Sequence, residues 1–425
     1  MTSETLSTRP PGARELLRQR SYMFFWTARW LGSVAAQAQS VTIVLQVYQV
    51  ARATKDVRHA AFAIGMIGLA QFAPMVLLAI TAGGMADRRD RKLISAICMG
   101  LETVSVAALI VISVTGVQAL WPIYTVAVGF GASRAFLGPS NTALAPMLVP
   151  RELLPRAIAW NSLAWQSASI LGPVLGSLLC GISPQHPSHG VQASYGVSFG
   201  LYVVATLCLL MIRGQTRPVA QAGSRWTLAK EGLVYVWTNK IVFGAISLDL
   251  FAVLLGGATA LLPIYALDVL HVGAPGFGVL RAAIAVGSIA VAVTLSMRPI
   301  QHKAGLFMFG GVAAFGAATL AFALSKVMIV SVIALAVLGG ADMLSVFVRQ
   351  TLVQITTPDH MRGRVAAVSG LFIGASNELG EFESGVAARF LGPIGAAVFG
   401  GVGALIVTGV WAKLFPALRK ADRLA

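Results

Sequence analysis

Gly83-Gly84-Met85-Ala86-Asp87-Arg88-Arg89-Asp90-Arg91-Lys92-Leu93 is a burst of charge wedged between two long apolar segments. It reads as a short cytoplasmic hinge between two membrane-crossing helices. Asp87 and Arg91 stand four apart, the spacing at which opposite charges meet on a helical turn, while Gly83 and Gly84 let the preceding helix approach a neighbour closely. Arg88, Arg89, Arg91 and Lys92 fix the side of the membrane, because short loops rich in Lys and Arg stay in the cytoplasm. Charge alone is equally consistent with a solvated loop that does nothing further.

Composition supports the membrane reading. Hydrophobic residues make up 56% of the chain and charged residues 11%, with a mean hydropathy of +0.77, whereas soluble domains carry about a quarter charged residues. A net charge of +16 would suggest nucleic acid in a soluble protein. Here three quarters of the 32 Lys and Arg fall on one side of twelve candidate spans, which orients the chain and removes the need for a nucleic-acid partner. Cys98, Cys180 and Cys208 lie inside apolar spans at no metal or disulfide spacing, so no metal or cofactor is expected.

Outward from the hinge, the chain divides into a cytoplasmic segment (1–21), a six-helix bundle (22–212), a cytoplasmic linker with an amphipathic helix (213–240), a second six-helix bundle (241–415) and a cytoplasmic tail (416–425). Both termini are expected inside. The loop from Ala51 to Arg58 is basic yet faces outward, the one breach of the charge rule. An internal repeat supports the division. A shift of 208 positions lays Pro150 and Arg156 over Pro358 and Arg364, Gly131 over Gly339, Gly172 over Gly380, and Arg134 over Asp342. Arg134 and Asp342 are therefore expected on opposite walls of one central cavity.

Polar residues inside the spans mark that cavity, because in lipid they must face protein or water. Arg29, Ser33, Gln37 and Ser40 form one stripe on the first helix. Arg134, Asn161, Trp165 and Asn377 join Arg29 and Gln37 as candidate substrate contacts. The run Ser376 to Ser384 holds Glu378, Glu381 and Glu383, of which the first two share a face. A carboxylate withdrawn from water binds a proton more tightly and releases it on meeting water or Arg, which suits a coupling switch. The candidates are Glu378, Asp342, Glu381, Asp249 and Glu102. Arg281 is close enough to a helix end to snorkel. Gly172, Pro173 and Gly176 on the fifth helix combine small residues with a helix breaker, suited to kinking that helix and seating it on another.

The hinge pattern, with Gly83, Asp87, Arg88, Arg91 and Lys92 in register and Asp90 where a glycine is usual, resembles the signature loop of the major facilitator superfamily. Gly172-Pro173-Val174-Leu175-Gly176 resembles the fifth-helix motif of its proton-coupled exporters. Asn161-Ser162-Leu163-Ala164-Trp165, Asp342-Met343, Arg349-Gln350, Pro358-Asp359, Arg362-Gly363-Arg364-Val365 and Ser376-Asn377-Glu378-Leu379-Gly380 are similar to the enterobactin-exporter-like bacterial branch. That resemblance implies an all-α membrane protein with two pseudo-symmetric six-helix bundles. It also implies alternating access in a bacterial inner membrane and proton-coupled efflux of a siderophore, drug or other small amphiphile. It places Asp87, held by Arg91, near the start of the eleventh helix in the outward-open state. Uptake, facilitated diffusion or a receptor without flux are the alternatives. No segment offers an enzyme's catalytic set, and a monomer in the lipid bilayer, with a small-molecule substrate and protons as its partners, is expected.

Overall fold

The computed structural model describes residues 13–422 apart from 87, 184, 214–215, 218–224, 299, 301 and 359–360. Asp87 and Asp359 therefore lie outside the described residues. A short helix, Ala13–Arg18, precedes α1 (Arg20–Thr54), α2 (Val57–Ala86), α3 (Arg91–Val114), α4 (Trp121–Leu144), α5 (Leu154–Gly181) and α6 (Pro187–Met211). After the linker helix, Arg225–Thr238, come α7 (Lys240–Leu255), α8 (Gly273–Met297), α9 (Ala304–Leu324) and α10 (Met328–Thr356). The long helix Arg362–Leu414 turns at Gly392, whose φ of 77° is open to glycine and is followed by Pro393. It is treated as α11 (362–391) and α12 (393–414).

Among the described residues, nine stretches are long and apolar enough to cross a membrane, the last being this merged helix. With its two limbs separated, and with α1 and α4, whose polar residues lower their hydropathy, the layout is consistent with twelve crossings. Short polar residues start the helices. Asp56 accepts the His59 backbone N–H at 3.0 Å. Hydrogen bonds from His59 hold the Asp56 carboxyl below its ordinary range. Asn239 caps α7 through Ile241 and Val242.

Glycines set the helix crossings, and the repeat predicts which ones. Gly131 brings α4 against the Gln71 carbonyl of α2, and Gly339 brings α10 against the Ile284 carbonyl of α8. Gly172 seats α5 on Val34 and Gln37 of α1, while Gly380 seats α11 on Val253 and Leu254 of α7. Superposed glycines thus perform equivalent packing in the two parts of the chain, since only a missing Cβ permits such approach.

The hinge differs from one continuous helical turn. Arg88 and Arg89 donate back to Met85 in a turn, and Asp90 opens α3 as its N-cap, accepting from the backbones of Lys92 and Leu93. The residue that departs from the superfamily pattern therefore has a structural role of its own. Arg91 donates to the Ala143 carbonyl at 2.9 Å, at the C-terminal end of α4, where carbonyls attract cations. Lys92 does the same for the Ile212 carbonyl after α6, at 2.8 Å.

Candidate functional site

A cavity of about 500 Å³ lies where the two parts of the chain meet. The α1 stripe supplies Arg29, Ser33, Gln37 and Ser40, α3 supplies Glu102, α4 Arg134, α5 Trp165, and α11 Asn377, Glu378 and Glu381. A second chamber of about 600 Å³, bounded by the end of α4 and the start of α5, shares Arg29, Thr142 and Trp165 with the first and holds Asn161. The space therefore extends toward the end of the molecule at which α4 ends and α5 begins.

Opposite charges face each other inside. Arg134 Nη1 lies 3.5 Å from Glu378 Oε1, a contact between α4 and α11. Arg281 donates to Ser40 Oγ at 3.3 Å from α8, so it faces the cavity beside Glu381 instead of snorkelling. Ser133 donates to Glu102 at 3.1 Å. The lining thus holds three guanidiniums and three carboxylates, a balance that lowers the cost of charge at this depth.

The far end is shut. Tyr48 donates to Asp268 at 2.6 Å and Arg52 Nη2 lies 3.2 Å from the same carboxylate, which joins α1 to the helical segment Tyr265–Val269 that follows α7. Arg389 stands over the Phe62 ring at 4.9 Å. Below them α2 and α11 cross at Gly65 and Gly385, and α5 meets α8 at Ser177 and Gly278. The basic stretch that breached the charge rule is here explained in part: Arg52 belongs to this closure. Neither Tyr48 nor Asp268 stands out in the sequence, because their contact spans 220 residues.

Two expected cavity residues lie elsewhere. Asp342 does not face Arg134; Glu378 takes that place. Asp342 sits with Asp249 in a separate small cavity walled by α7, α9 and α10. Asp249 Oδ2 lies 3.4 Å from Arg349 Nη2. Arg349 is 1% exposed. Glu383 is on α11 but outside the cavity lining. Gln71, which lines the cavity from α2, was missed: an isolated glutamine in an apolar helix gives no periodic signal. Gly172 and Gly176 hold α5 against α1, and Pro173 sits inside α5.

The family model described as transmembrane secretion effector matches residues 13–425. The chain belongs to this family of major facilitator superfamily transporters. Like the family, it is a multi-pass membrane protein. It is 25% identical over 369 residues to the enterobactin exporter EntS of Salmonella typhimurium (strain LT2), covering 87% of this chain and 84% of that one. It is 26% identical over 370 residues to EntS of Escherichia coli O1:K1, with the same shares. Among solved structures it resembles a bacterial homologue of the human lysosomal transporter Spinster in an inward-facing, occupied conformation, with TM-score 0.70, 14% identity and 97% of each chain covered. It also resembles a bacterial homologue of the iron transporter ferroportin in an inward-facing state, with TM-score 0.68, 16% identity and coverage of 93% and 99%. At these identities the structures speak for the fold alone.

Proposed function

We propose that this protein is a proton-coupled exporter of a small amphiphile of the siderophore or drug class, working in a bacterial inner membrane with both termini in the cytoplasm. The asymmetry of Lys and Arg favours that orientation. On it, the cavity is open to the cytoplasm and closed to the outside, the loading state of an exporter.

The observation that carries the reading is the Arg134–Glu378 contact at the cavity wall. It joins α4 to α11, so it counts the charge state of the cavity and the closeness of the two bundles together. An anionic cargo that pairs with Arg134, or a cationic one that pairs with Glu378, breaks the contact. The freed carboxylate then takes a proton from water when it next meets the outside, and once neutral it no longer attracts Arg134 across the two bundles until the proton is released. Glu381 beside Arg281 offers a second pair of the same kind, and Glu102 a third carboxylate deeper in the wall. Arg29, Gln37, Asn161, Trp165 and Asn377 supply donors, acceptors and an aromatic face to an amphiphile that needs both. The likeness to enterobactin exporters favours a siderophore cargo.

The test uses inverted membrane vesicles energised with a pH gradient and a panel of catecholate siderophores and lipophilic cations. Accumulation of one panel member that collapses with the gradient supports the reading. Binding of panel members without accumulation would leave a receptor or facilitator and defeat it.

A further inference from the structure

The structure assigns a second proton-binding site to the carboxylate pair Asp249 and Asp342, in a cavity that shares no lining residue with the central one. Asp249 is on α7 and 5% exposed; Arg349 on α10 is 1% exposed. Their side chains meet at 3.4 Å. Arg349 Nη1 also donates to Ser369 Oγ of α11 at 3.4 Å. Asp342, Ser345 and Arg349 follow one face of α10 at spacings of three and four. Asp249, Asp342 and Ser345 line a cavity of about 10 Å³, room for one water-sized particle.

Charge counting makes the case. The site holds two carboxylates and one guanidinium. The remaining neighbours, Val312 and Phe315 from α9, Ala252 and Val253 from α7 and Ser369 from α11, carry no charge. Among the described residues, the cation in contact with this pair is Arg349, through Asp249, and no basic side chain lines the cavity itself. If every group were ionised, one negative charge would remain uncompensated in a low-dielectric interior, which proteins avoid by neutralising the group. A second observation points to an occupant. The Ser345 hydroxyl is 2% exposed, lines the same cavity and has no hydrogen-bond partner. A proton on one carboxyl, with or without a water beside it, cancels the surplus charge and gives that hydroxyl something to bond.

The proton enters from water onto a carboxylate oxygen and leaves from the same atom; no other bond changes. Arg349 links the site to α11, the helix that carries Glu378 and Glu381, so loading or emptying it biases how α7, α10 and α11 pack. Its use as a coupling proton rests on the exporter reading above, but the presence of the proton does not.

The experiment is infrared spectroscopy of the purified full chain at neutral pH, with isotope-labelled aspartate to separate aspartyl from glutamyl carboxyl bands. The wild type is expected to show a protonated aspartyl carboxyl band. Asp342→Asn and Asp249→Asn are each expected to abolish it, because either change leaves one carboxylate balanced by Arg349. Glu378→Gln is expected to leave it intact. The two Asn variants read the same proton, so misfolding of one leaves the other to decide. A wild type without the band, or a band that survives in a folded Asn variant, overturns the assignment. A band that sodium bleaches and choline does not would give the site to a metal cation and overturn it equally. None of these readouts requires transport, so failure of the exporter reading leaves the result standing.

Discussion

A methyl group at Gly65 should drive the protein out of the conformation described here. Added there, a Cβ would stand 2.8 Å from Gly385 Cα, 3.1 Å from the Glu381 carbonyl oxygen and 3.2 Å from that of Phe382, whereas carbon atoms rest at about 3.5–4.0 Å. All three neighbours include backbone of α11, so no side chain can rotate away. The helices must part by roughly 1 Å, and overpacking of this kind costs about 1–3 kcal/mol. Because α2 and α11 belong to different bundles, the cost falls only on the arrangement in which this end is closed. An energy of that size shifts a two-state equilibrium about 5- to 150-fold. Spin labels at Lys55 and His271, exposed on either side of the closed end, would report it by pulsed electron resonance. Gly65→Ala should move population from the short distance to a longer one. Gly131→Ala serves as the control, since its clash with the Gln71 carbonyl lies within one bundle and should lower the melting temperature without moving the distances. An unchanged distance distribution in Gly65→Ala would refute the reasoning.

Removing Asp268 should open the same end more than removing Arg52. Asp268 anchors both Tyr48 and Arg52, whereas the Arg52 pair is partly exposed and worth about 0.2–1 kcal/mol; a larger distance shift in Arg52→Ala than in Asp268→Ala would contradict this. Asp90→Ala should lower stability by about 1 kcal/mol, since it strips α3 of its cap and Thr216 of its 2.6 Å acceptor. Asp90→Asn should restore most of it, and thermal unfolding in detergent checks both.

Much of the architecture is written in local pattern. Long apolar runs, charge asymmetry and the glycines at 131, 172, 339 and 380 report on bilayer crossing and helix contact, and both depend on residues close in sequence or on a repeat. The α1 stripe predicted the cavity wall for the same reason: Arg29, Gln37 and Ser40 share one face because of helical period alone. Pairing across the chain was less legible. Symmetry placed Asp342 on the cavity wall opposite Arg134, but the cavity is built where the bundles meet, and there α11, not α10, presents its carboxylates. Arg349 follows a long apolar run and is not among the cavity or coupling candidates that local pattern marks. Its burial follows from α10 continuing to Thr356, with Asp249 waiting on α7, a fact that no window of the sequence around Arg349 contains. The closure by Tyr48, Arg52 and Asp268 was hidden for the same reason.

The claim that Glu378 links cargo to proton movement is tested most directly in liposomes containing the purified protein, a pH-sensitive dye inside and an imposed proton gradient. The account predicts that adding the transported siderophore or cation moves protons in the wild type and that Glu378→Gln still binds the cargo but moves none. Proton movement of wild-type size in Glu378→Gln would contradict it.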